Sequence, residues 1–301
     1  MRRLREAVTL KWRDINRAYP GAPYYGDTLL HVVCREGYLP MLRFMLSPTS
    51  RTIYETVELS VNATNVRGRT PLLLCFTPPH FTFSARAHGL ALDPAAGLAR
   101  AAAPSPEAIA AAGASGPEGL DWAAPGDPSD RQEMVRLLVE DGDADPDLQD
   151  FLGLSAVHYA AIWGWDATFR TLVDAGADAA AVTADGESCL HLAAAHGHVA
   201  AALSALDAVP RLLDCTDVAG RRAVHRAIVA GAAGSAGAGE VLALLGDEGA
   251  DVNAPDFEGQ TPLRLACEAN VAALVLALLD AGAEAEEECL ELLHGEAAQQ
   301  V

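Results

Sequence analysis

Four histidines occupy the same place in four similar hexapeptides: Gly26-Asp-Thr-Leu-Leu-His31, Gly153-Leu-Ser-Ala-Val-His158, Gly186-Glu-Ser-Cys-Leu-His191 and Gly220-Arg-Arg-Ala-Val-His225. Imidazole is a common metal ligand and a base near neutral pH, so a recurring histidine is where chemistry is sought first. His196 and His198 add an HxH pair. The patterns that would complete a site are missing. There is no GxxxxGK[ST] phosphate loop, no GxSxG elbow and no HExxH helix, and the only lysine, Lys11, stands far from any glycine loop. Cys34, Cys75, Cys189, Cys215, Cys267 and Cys289 form no CxxC pair. Their scatter fits reduced, buried thiols better than a zinc site or a disulfide framework. The expectation is a protein that is not an enzyme and uses no metal or cofactor.

The elements that position these histidines form a repeat. Gly68-Arg-Thr-Pro-Leu-Leu73 and Gly259-Gln-Thr-Pro-Leu-Arg264 extend the set of hexapeptides to six, with glycine spacings of 42, 85, 33, 34 and 39 residues. A unit of 33 with inserts accounts for every spacing. A second motif recurs in register: Gly142-Asp-Ala-Asp145, Gly176-Ala-Asp178, Gly249-Ala-Asp-Val-Asn253 and Gly282-Ala-Glu284.

Each position has a physical role. Thr70 and Thr261 cap helix N-termini, and Pro71 and Pro262 enter the first turn, where no N–H is missed. Ala160, Ala161, Ala193 and Ala194 are small where helices must approach. Val135, Leu137 and Leu138, and again Val241, Leu244 and Leu245, give a second helix its apolar face. Gly176 and Gly249 supply the left-handed residue that ends it. Such a unit buries its two faces only by stacking on neighbours.

These motifs resemble the ankyrin repeat over about residues 24–285, apart from one long insert. The resemblance implies an all-α ankyrin-repeat solenoid of helix–turn–helix units with β-hairpin turns, about six repeats plus terminal capping helices. The implied organisation is an N-terminal capping helix (1–23), repeat one and the first half of repeat two (24–76), an insert (77–130), the rest of repeat two and repeats three to six (131–285), and a C-terminal capping helix and tail (286–301). It also implies that His31, His158, His191 and His225 bond neighbouring turns and are structural. His198 fits the family's Gly-His turn, which leaves only His196 without a structural task. The stretch from Leu245 to Asp251-Val-Asn253 resembles the context of asparagine hydroxylation, although Asn253 reads first as the consensus turn residue.

Charge narrows the partners. The 301 residues carry a formal charge of −20, which argues against nucleic acid and anionic membrane, because phosphate binding needs clustered Lys and Arg. No apolar run reaches membrane-spanning length; the longest helical one, 271–279, is about half of what a bilayer needs. Residues 1–17 are locally basic, at +4, which fits either the polar face of a cap or an organelle-targeting presequence. Of the 54 residues in 77–130, 30 are Ala, Pro or Gly. That composition predicts a disordered insert, with a partner-binding segment using Phe81, Phe83 or Trp122 as the other reading. A smaller Gly/Ala/Ser insert at 232–239 predicts a flexible turn.

The resemblance implies recognition of a protein or peptide in a concave groove lined by the hairpin tips and the ends of the first helices. Carried across repeat by repeat, the lining is Tyr24, Tyr25, Arg67, Arg69, Phe151, Leu152, Leu154, Ile162, Trp163, His196, Arg221 and Phe257. Five of these, Phe151, Leu152, Leu154, Ile162 and Trp163, make an apolar cluster at positions expected to face water. The function expected is an intracellular adaptor or scaffold, monomeric, in the cytoplasm or the nucleus. The competing reading is a substrate-recruiting subunit of an enzyme complex such as a ubiquitin ligase; no recruitment box is recognised in the tail after Ala285.

Overall fold

The computed structural model describes residues 16, 18, 26–47, 59–76 and 128–284. The capping helices expected at 1–23 and 286–301, Tyr24 and Tyr25, and nearly all of the insert lie outside the described residues. The chain divides into two compact units, 1–144 and 145–301. Among the described residues both are helical, and the hairpin turns contribute isolated bridge residues, with Val182 and Ser188 forming an antiparallel bridge.

In the first unit, α1 (Leu29–Glu36) starts at Thr28 and stops at Gly37, whose φ of 74° is the left-handed cap conformation. It packs against α2 (Leu39–Leu46) and α3 (Pro71–Leu74). Thr70 accepts a hydrogen bond from Leu73 N, and Pro71 opens α3, as the sequence requires. Packed on α2 is α4 (Pro128–Glu140). It begins three residues before position 131. Arg131, in the first turn of α4, is 1% exposed and reaches back across the gap in sequence. Its guanidinium donates to Cys75 O (2.8 Å) and Arg35 O (3.0 Å).

The second unit has two layers. First helices α5 (Ala156–Trp163), α7 (Cys189–His196), α9 (Ala223–Ala232) and α11 (Pro262–Glu268) pack in series. Beside them run α6 (Asp166–Asp174), α8 (Val199–Ala208), α10 (Ala238–Asp247) and α12 (Ala272–Asp280). Ala160, Ala161, Ala193, Ala194 and Ala227 are fully buried between the first helices. Alanine there lets the backbones approach with no void. Outer-layer residues Phe169, Leu172, Val241 and Leu245 are equally buried, whereas Leu244 is half-buried.

The insert at 232–239 is more closely fitted than a flexible turn. Gly237 lies so near Gly197 that a Cβ on it would overlap the Gly197 carbonyl oxygen and stand 3.0 Å from its carbon. The glycine richness of this turn is therefore partly a packing requirement.

Loops between repeats are stitched by side chains. Asp147 Oδ1 accepts from Asp178 N (2.7 Å), and Asn253 Oδ1 accepts from Glu284 N (2.8 Å). Asn253 thus has a structural role as the turn residue.

Candidate functional site: the hairpin tips

Every described hairpin is closed by the side chain three positions before its glycine. Asp150 Oδ1 accepts from Leu152 N (2.9 Å) and Leu154 N (3.2 Å). Asp217 does the same for Ala219 and Arg221, and Asp256 for Glu258 and Gln260. In the first unit Asn65 holds Arg67 N and Arg69 N, so those two arginines flank a fixed turn with half-buried side chains. Thr183 plays a reduced version through Glu187 N. These closing residues are absent from the expected lining, although Asx or Thr at a fixed offset from glycine is a legible turn signal.

Successive tips in the second unit join by single backbone hydrogen bonds. Ala184 N donates to Leu152 O (3.1 Å), Val218 N to Asp185 O (3.0 Å) and Phe257 N to Ala219 O (3.0 Å). Such close approach needs glycine: a Cβ on Gly153 would stand 2.9 Å from Thr183 C, and its φ is +76°. The ladder sets Phe151, Ala184, Val218 and Phe257 in one row. Three of them are large and exposed, at 75% for Phe151, 63% for Val218 and 78% for Phe257.

The apolar cluster expected in the third repeat is corrected by this geometry. Ile162 is 8% exposed and belongs to the core. Leu152, Leu154 and Trp163 are half-buried, so Phe151 alone of the five stands clear. Arg221 is also half-buried, and its guanidinium pairs with Asp217 (2.9 Å). The large apolar residues exposed at the tips of the second unit, Phe151, Val218 and Phe257, are therefore spread over three repeats instead of gathered in one.

Beneath the tips the histidines do structural work. Nδ1 of His158 accepts from the backbone N–H (3.2 Å) of Ser155 and pairs with its hydroxyl (2.8 Å), while Nε2–H donates to Ala181 O (3.0 Å) in the next hairpin. His31 and His191 repeat the pattern onto Arg69 O and Arg221 O, and His225 reaches Gln260 O. Both ring nitrogens are used, which fixes the neutral Nε2–H tautomer. Burial lowers the pKa of all four, to about 4 for His158, against the opposing pull of the carbonyl hydrogen bond. His198 donates Nε2–H to Ile162 O (3.0 Å) and stacks on His196, with ring centroids 6.1 Å apart. His196 thus gains a packing role, and burial lowers its pKa to about 4. Among the described residues no group of three or more His, Cys, Asp or Glu is arranged to hold a metal ion, and no helix is long and apolar enough to cross a membrane.

Comparison with known proteins agrees with this architecture. Residues 120–206 match the family model for ankyrin repeats in three copies. An ankyrin repeat domain from Acinetobacter baumannii AYE is similar in structure, with a TM-score of 0.56 and 21% identity, over 85% of this chain and 98% of that one. No curated protein matches the chain. Residues 120–206 therefore match ankyrin repeats, and the fold is the all-α ankyrin-repeat fold. Repeats of this family generally act as protein–protein interaction modules and are typically not enzymes.

Proposed function

We propose that this chain is a protein-binding adaptor or scaffold whose hairpin tips grip a partner, with about six repeats as its frame. The supporting observation is the row of Phe151, Val218 and Phe257, three large apolar side chains exposed on turns that the backbone ladder holds rigid. Exposed apolar groups on a preorganised frame bind with little ordering cost. Action inside the cell is supported by the thiols: Cys34, Cys75, Cys189, Cys215 and Cys267 are all unpaired. Arg67 and Arg69 of the first unit, and Trp163 and His196 of the second, are the further residues proposed to touch the partner.

The test is affinity capture from the native cell with the full chain and with a Phe151→Ser, Val218→Ser, Phe257→Ser variant. The reading expects a defined client bound by the first and lost by the second, at unchanged thermal stability. A client retained by the triple variant would sink it.

A further inference from the structure

The same row carries a charge pattern, and an inference about the partner's chemistry rests on the reading just given. The second residue of each tip runs Leu152, Asp185, Ala219, Glu258, so apolar tips alternate with acidic ones. Asp185 and Glu258 are exposed, and among the described residues neither carboxylate has a hydrogen-bond or ion-pair partner. The neighbouring arginines are already neutralised: Arg221 by Asp217, and Arg226 by Glu187. Residues 145–284 contain 20 acids against six arginines, a net −14, and five of those arginines are ion-paired.

From this we infer that the row takes an extended, basic segment of a partner protein, with apolar side chains alternating with Lys or Arg. Packed helices lie about 8–10 Å apart, which sets the step between tips. An extended polyproline-II chain rises about 3.1 Å per residue and turns once every three, so roughly three partner residues span one step and return to the same face. The register is then an apolar side chain on Phe151 and Leu152, a base opposite Asp185, an apolar side chain on Val218, and a base opposite Glu258 beside Phe257. A neutral apolar segment would leave both carboxylates without a counter-charge. An acidic one would be repelled by the field of the whole unit.

Selection of phage-displayed random peptides on the full chain tests this, with two parallel arms: Phe151→Ser with Phe257→Ser, and Asp185→Asn with Glu258→Gln. Circular dichroism of each variant checks that it is folded. The expected winners carry Lys or Arg about three residues from an apolar side chain. They should lose capture roughly ten-fold on the tip variant and several-fold on the carboxamide variant, and weaken as salt rises, because screening acts on exposed pairs. Winners that need the tips but are neutral or acidic overturn the charge inference and leave the binding row intact. Winners indifferent to the tips, or no winners at all, overturn both. Self-association of the chain that the tip variant abolishes would assign the row to a second copy and likewise overturn the basic partner.

Discussion

The Phe257 ring lies against the backbone of Gly220, one repeat earlier: a Cβ on that glycine would stand 2.7 Å from Phe257 Cγ and overlap its Cδ1. The glycine therefore does two things. Its φ of +78° makes the turn, and its missing side chain gives an exposed aromatic a floor to rest on. In the first unit Val66 leans on Gly26 in the same way, with Cγ1 at 3.0 Å from the equivalent Cβ.

Gly220→Ala should accordingly cost more than conformational strain alone. The left-handed backbone penalises any L side chain by about 1–2 kcal/mol, and displacing the ring adds to it. Urea unfolding should show a lower midpoint than wild type. Gly249→Ala, where a Cβ meets nothing within 4 Å at φ +83°, isolates the backbone share and should be the milder change.

Burial separates two residues that look alike in sequence. Ile162→Ala removes a core side chain and should destabilise by about 2–4 kcal/mol, whereas Phe151→Ala should lie within about 0.5 kcal/mol of wild type. Equal losses in thermal unfolding would contradict the assignment of Ile162 to the core and Phe151 to the surface.

Arg131 ties the two sides of the insert together, so Arg131→Met should be costly despite its similar length. Two charge-assisted hydrogen bonds disappear, and Cys75 O loses a donor on the buried side of α4. A loss of about 2–4 kcal/mol is expected, read from the denaturation midpoint.

The same clamp predicts that residues 77–127 are dispensable for stability. Cys75 and Arg131 already meet, so a short Gly/Ser linker has only a small gap to close, and shortening a loop lowers its closure entropy. The deletion variant should keep the wild-type midpoint; a large drop would mean that the segment packs on the fold.

Acid should weaken the protein above the carboxylate range. Burial depresses the folded pKa of His31, His158, His191, His196, His198 and His225, while in the unfolded chain they titrate near 6.5. The unfolded state then binds more protons, so stability is complete above about pH 6.5 and drains away as pH falls towards 4. For His158, at about 4, the loss approaches 3 kcal/mol. A urea midpoint that is lower at pH 5.5 than at pH 7.5 is expected. Imidazole nitrogen spectra at pH 5.5 should still show His158 as a neutral Nε2–H ring; a protonated signal from that residue there would refute the account.

The sequence by itself determined the local machinery. Thr70, Pro71, Thr261, Pro262, the recurring Gly residues and the Nδ1 side of the recurring His residues specify caps, turns and helix ends through contacts only a few residues long. Those interactions depend on residue type and spacing, so they are legible from a single chain. Only the tertiary structure decided which apolar residues face water. Ile162 and Phe151 are both apolar residues of the third repeat, yet helix packing leaves one 8% exposed, while the other stands 75% exposed on a hairpin tip. The row from Phe151 to Phe257 joins residues more than a hundred positions apart, and the Arg131 clamp crosses 56. Such relationships depend on how repeats stack, and no periodicity within a repeat encodes that.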